Sequence, residues 1–88
     1  MREITVYGMD ECEDTQRTIQ FLKQHRVPYQ YHKIDTNRES YLLVQTWYPG
    51  GIKTPVVVVE QSGIRLVEPT NETLKTTLKS AGILHEAA

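Results

Sequence analysis

Cysteine is nearly absent from this chain: Cys12 is the only one among 88 residues. A single thiol excludes an internal disulfide and a cysteine-based zinc cluster, and leaves burial or reactivity as its roles. That usage fits a reducing compartment, so a cytoplasmic location is expected. Charge of one sign is also lacking, with 10 Lys and Arg against 11 Asp and Glu. No basic field is offered to nucleic acid, and no acidic tail is present. Long apolar runs are missing too, and Met1-Arg2-Glu3-Ile4 lead straight into a strand pattern, so neither a signal peptide nor a membrane span is expected. The three histidines, His25, His32 and His85, share no ligand spacing with one another or with Cys12, so no metal site is expected. The length suits one domain over residues 1–88 with a modest core. Electrostatics name no partner, and a monomer is expected.

The residues that are present alternate between strand and helix signals. Ile4-Thr5-Val6-Tyr7 is a β-branched strand, and Asp10-Glu11-Cys12-Glu13 has the spacing of a capping box before Ile19, Phe21 and Leu22 at helical period. A helix over 11–25 is predicted. After Val27-Pro28, alternation through Tyr29, Tyr31 and Ile34 predicts a strand ending at Asp35. Thr36-x-x-Glu39 reads as a second capping box, opening a helix with Tyr41, Leu43, Val44 and Trp47 that Pro49-Gly50-Gly51 stops. Pro55 then begins Val56-Val57-Val58-Val59, an apolar run suited to a strand covered on both faces. Gln61-Ser62-Gly63 is a hairpin turn to a shorter strand, Ile64-Arg65-Leu66-Val67. Pro69-Thr70-Asn71 starts a last helix that Gly82 ends. The order is βαβαββα, which predicts an α/β fold with a four-stranded mixed sheet flanked by helices.

Cys12 falls where the first strand gives way to the first helix, at the sheet end where open α/β folds place their sites. Helix dipole and unpaired amides favour a thiolate there. Asp10, Glu11, Glu13 and Asp14 oppose it. At roughly 7 Å in near-aqueous dielectric each carboxylate costs the thiolate about 0.6 kcal/mol. A helix N-terminus returns roughly 0.3–1 kcal/mol, and ~2 at best. The two effects nearly cancel, so a thiol near its unperturbed value of about 8.5 is expected. The four acids are read as residues complementing the helix dipole rather than as catalytic carboxylates. Arg17, one turn after Glu13, is placed to neutralise it. Thr15 stands where a two-cysteine redox motif has its second sulfur. Trp47 and Tyr48 are read as core and rim packing rather than a docking surface.

Tyr7, Cys12, Thr15, Arg17, Val27-Pro28-Tyr29, Asp35 and Thr54-Pro55 before the valine run stand in an order and spacing that resembles the glutaredoxins, small redox proteins of the thioredoxin-fold superfamily. The resemblance implies that Pro55 is cis and faces the thiol, that Thr54 offers backbone groups to an extended substrate, and that the helix start at Thr70 and Asn71 holds a carboxylate of glutathione. Arg17 and Lys53 would stand at the same substrate site. Thr15 in place of the resolving cysteine leaves only a one-thiol mechanism, in which Cys12 takes a glutathionyl group from a disulfide and a second thiol removes it. Thr15 would donate a hydrogen bond to the sulfur. The partners implied are glutathione or a related small thiol, and a glutathionylated or disulfide-containing protein. No bound cofactor is expected. Lys53-Thr54-Pro55 departs from the family's usual Thr-Val-Pro. Glu13-Asp14-Thr15 lacks the Gly-Phe-Ser of cluster-binding members, so a dimeric iron–sulfur carrier is the weakest reading. The chief alternative is a non-catalytic module that recognises a protein beside Thr54-Pro55.

Overall fold

Strand β1, Ile4–Gly8, is buried along its whole length because both of its faces are covered. The computed structural model describes residues 3–84. Met1 and Arg2, on which the expected immediate start depends, and His85 lie outside the described residues. Around β1 the chain builds α1 (Glu13–Gln24), β2 (Tyr29–Lys33), α2 (Arg38–Trp47), β3 (Val56–Val59), β4 (Ile64–Val67) and α3 (Asn71–Ser80). The sheet order is β2-β1-β3-β4, with β1 parallel to β2 and antiparallel to β3, and β4 antiparallel to β3. This is the predicted βαβαββα fold.

Period-two alternation splits the core in two. Ile4, Val6, Val57 and Val59 face Phe21 and Leu22 of α1 and Leu74 and Leu78 of α3. Tyr7, Val56 and Val58 face the other way, toward Val44 of α2, with Trp47 and Tyr48 packed against that cluster. Trp47 meets the Tyr7 ring edge-on at 5.6 Å, and the Arg65 guanidinium lies 4.7 Å above Trp47 and 5.6 Å from Tyr48. Core and rim packing is therefore the role the fold gives this aromatic pair. Among the described residues, no helix is long and apolar enough to cross a membrane.

Three element ends differ from the sequence expectations. The first helix begins at Glu13 rather than residue 11, with Cys12 at the cap position and no side-chain capping bond. The Asp10 box does not form because the Asp10 carboxylate is drawn to side chains of β2. The second helix is capped by Asn37, not Thr36. Its side chain accepts from the Ser40 amide at 3.0 Å, while the amides of Thr36 and Asn37 turn back to the Lys33 carbonyl. That same turn ends β2 at Lys33, before the predicted Asp35. At the third helix the expectation holds: the Thr70 hydroxyl accepts from the Thr73 amide at 3.1 Å, and Gly82, at φ +73°, closes the far end.

Candidate active site

The Cys12 sulfur stands at the mouth of α1, where the helix has unpaired amides to offer. Its own amide donates to the Met9 carbonyl at 3.1 Å, and its carbonyl accepts the first helical bond from Gln16 at 3.0 Å. The side chain that would cap this helix is the thiol. Burial opposes its ionisation, but the Thr15 hydroxyl, the Thr54 side chain and the backbone amides of Thr15 and Asp14 favour the charge and together pull the thiol below its ordinary value. None of the flanking carboxylates is among the causes of this shift, so the opposition expected of them from the sequence does not set the direction. Two of them are neutralised locally. Asp10 accepts from Lys33 Nζ at 2.8 Å and from the Tyr31 hydroxyl at 2.9 Å, and Asp14 meets Arg17 at 3.4 Å.

Thr15 is almost fully buried and is held by the loop it supports. Its oxygen accepts from the Met9 amide at 3.4 Å, leaving its proton for the sulfur. Gly8 makes this approach possible: a Cβ there would fall 2.6 Å from both Thr15 Oγ1 and Cγ2. Across the cleft, the Thr54-Pro55 bond is cis, both residues are buried, and the Thr54 carbonyl accepts from Cys12 Sγ at 3.5 Å. Thiol, hydroxyl and cis-proline loop thus converge from β1, α1 and the segment before β3.

The sequence profile of the family described as Glutaredoxin matches residues 4–64, more than half of the chain and all of this constellation except the start of α3. The chain belongs to the glutaredoxin family. Among solved structures it is similar to a glutaredoxin from Archaeoglobus fulgidus, at 26% identity and a TM-score of 0.73, over 90% of this chain and 88% of that one. A mutant of the thioredoxin-like protein BC3987 superimposes with a TM-score of 0.78 at 24% identity, covering 90% and 97% of the two chains. Wheat glutaredoxin gives 0.61 at 14%, covering 91% and 74%. No curated protein matches the sequence. The fold is the thioredoxin-like glutaredoxin fold, and family membership supports a thioredoxin-fold redox function.

The other candidate residues of this glutaredoxin fall into a second group. Arg17 does not pair with Glu13. It donates to Asn71 Oδ1 at 2.6 Å and to the Pro69 carbonyl at 2.9 Å besides meeting Asp14, because the start of α3 and the residue before its cap lie within reach of the guanidinium. Arg17 and Asn71 therefore clamp α1 to the start of α3, beside the Thr70 cap. Lys53 is exposed, next to Thr54 in the chain. Sequence reasoning missed Tyr31, Lys33 and Gly8. Their signal is the parallel register that sets Val6 against Tyr31 and Gly8 against Lys33, which pattern alone does not reveal.

Proposed function

We propose that this protein is a one-thiol oxidoreductase that exchanges glutathionyl groups, or those of a related small thiol, through Cys12. The observation that carries this reading is the placement of the sulfur between the Thr15 hydroxyl and the cis Thr54-Pro55 loop, at a helix end that favours its thiolate. The Cys12 thiolate attacks the glutathionyl sulfur of a mixed disulfide. A new sulfur–sulfur bond forms, the old one breaks, and the released substrate thiolate takes a proton from water. A second glutathione thiolate then attacks the glutathionyl sulfur, giving oxidised glutathione and returning Cys12 as thiolate. The net reaction converts the mixed disulfide and one glutathione into the substrate thiol and oxidised glutathione: the incoming thiol is oxidised, the substrate sulfur is reduced, and the glutathionyl sulfur stays at disulfide level throughout.

Thr54 and Pro55 support an extended tripeptide along the cleft. The α3 start at Thr70 and Asn71, rigidified by Arg17, supplies amides for a carboxylate, and Lys53 supplies a cation from the opposite loop. A monomer in the cytoplasm, needing no resident cofactor, suits this role. The test is turnover of a glutathionylated peptide by wild type and Cys12→Ser. Loss of exchange is the expected result, and undiminished turnover refutes the assigned nucleophile. An inert wild type that still binds a disulfide-containing protein would instead favour the non-catalytic module.

A further inference from the structure

Asp10 lies two residues before the reactive sulfur, yet its carboxylate and its carbonyl are taken by other elements. Lys33 Nζ reaches Oδ2 at 2.8 Å, the Tyr31 hydroxyl donates to Oδ1 at 2.9 Å, and Gln16 Nε2 holds the main-chain oxygen at 2.6 Å. Tyr31 and Lys33 are two apart on β2 and so project from one face of it, the face on which Tyr31 packs against the α1 side of the sheet. The parallel pairing of Gly8 with Lys33 carries the ammonium to the strand end from which the thiol loop departs. Hydrogen bonds from Lys33 and then Tyr31 hold the Asp10 carboxyl below its ordinary value, and the Lys33 ammonium is raised in return. Burial and the Asp10 bond push the Tyr31 hydroxyl up, and the charge of Cys12 adds a last contribution, so Tyr31 is within electrostatic reach of the sulfur.

We propose that Lys33, with Tyr31, is a positioning residue for Cys12 chemistry: it neutralises the Asp10 carboxylate and anchors it to β2, so that an acid-rich loop can carry a reactive thiolate. The remaining charges around the sulfur are Glu11, Glu13 and Asp14 from the loop and first helical turn, Asp35 beyond β2, Lys53 before the cis proline, and Arg17 one turn along α1. Arg17 is committed to Asp14, Asn71 and the Pro69 carbonyl, which leaves Lys33 as the cation that answers Asp10. The inference rests on Cys12 being the reacting thiol. It is read from the thiol's own titration, which needs no glutathione exchange, so its failure is distinct from failure of the proposed activity.

The experiment is the alkylation rate of the full chain against pH at low ionic strength, clean because Cys12 is the only thiol. Lys33→Gln should raise the midpoint by about 0.4 pH unit, the effect of one unmasked carboxylate some 7 Å away in water. Lys33→Arg should restore the wild-type midpoint. The double variant Lys33→Gln with Asp10→Asn should lose the increase, and about 1 M salt should collapse it, since the screening length is then ~3 Å. A wild-type midpoint in Lys33→Gln overturns the proposal. So does an increase that survives in the double variant, because it would then come from displaced structure rather than from the Asp10 charge.

Discussion

Thr15 serves the sulfur in two ways, as a hydroxyl donor and as the brace that fixes the Met9 loop. Thr15→Val keeps the shape and removes the hydroxyl, so the alkylation midpoint of Cys12 should rise by about one pH unit, the equivalent of ~1.4 kcal/mol. Thr15→Ser should largely preserve the wild-type value. An unchanged midpoint in the valine variant would show that Thr54 and the backbone amides favour the thiolate without the hydroxyl. Thr18, one turn along and fully buried, presents the opposite case: among the described residues its hydroxyl is the buried side-chain oxygen with no partner. Thr18→Val removes an unsatisfied polar group at nearly constant shape and should stabilise the fold by about 1 kcal/mol in urea unfolding. Cys12 and Thr15 were legible in the sequence because their spacing within a strand-to-helix transition carries chemical meaning. Thr18 was not, since a threonine on a helix reads the same whether its hydroxyl faces water or core.

At the scale of elements, the site depends on how closely β1 and α1 approach. Gly8→Ala places a methyl 2.6 Å from Thr15, so either the helix start shifts or the threonine leaves the sulfur. A loss of roughly 1–3 kcal/mol in stability is expected, as for other overpacked positions. The alkylation midpoint should rise with it, and wild-type behaviour in both measurements would refute the contact. Removing the α3 cap with Thr70→Ala should cost about 1 kcal/mol in denaturant unfolding, because the Thr73 amide loses its acceptor. The last helix was readable to its cap from Pro69-Thr70-Asn71 and Gly82. The first two starts were misplaced because capping boxes compete with longer-range partners: Asp10 found Lys33 and Tyr31, and Asn37 displaced Thr36 once the chain turned back on Lys33.

For the whole molecule, ionisation of Cys12 is linked to folding. The folded thiol titrates below its ordinary value, so the folded state loses its proton first as pH rises. The stability this contributes is absent below the folded value, grows as pH rises through it, and is complete above the unfolded value of about 8.5. The stability difference between wild type and Cys12→Ser should therefore widen from neutral toward alkaline pH. A difference independent of pH would mean that the fold does not favour the thiolate. The sequence by itself determined the βαβαββα order, the central valine strand, the hairpin, the start of the last helix and the place of Cys12 at a strand-to-helix turn, each of which follows from local period, turn chemistry or spacing. That Thr15 and Thr54-Pro55 join Cys12 was implied by the resemblance to glutaredoxins. The tertiary structure alone decided the balance of charge at the thiol, the commitment of Arg17 to Asn71 and Pro69, and the close packing of Gly8 on Thr15. These depend on the register of β1 with β2 and the docking of α3 on α1, where residues distant in the chain meet and no local pattern records the encounter.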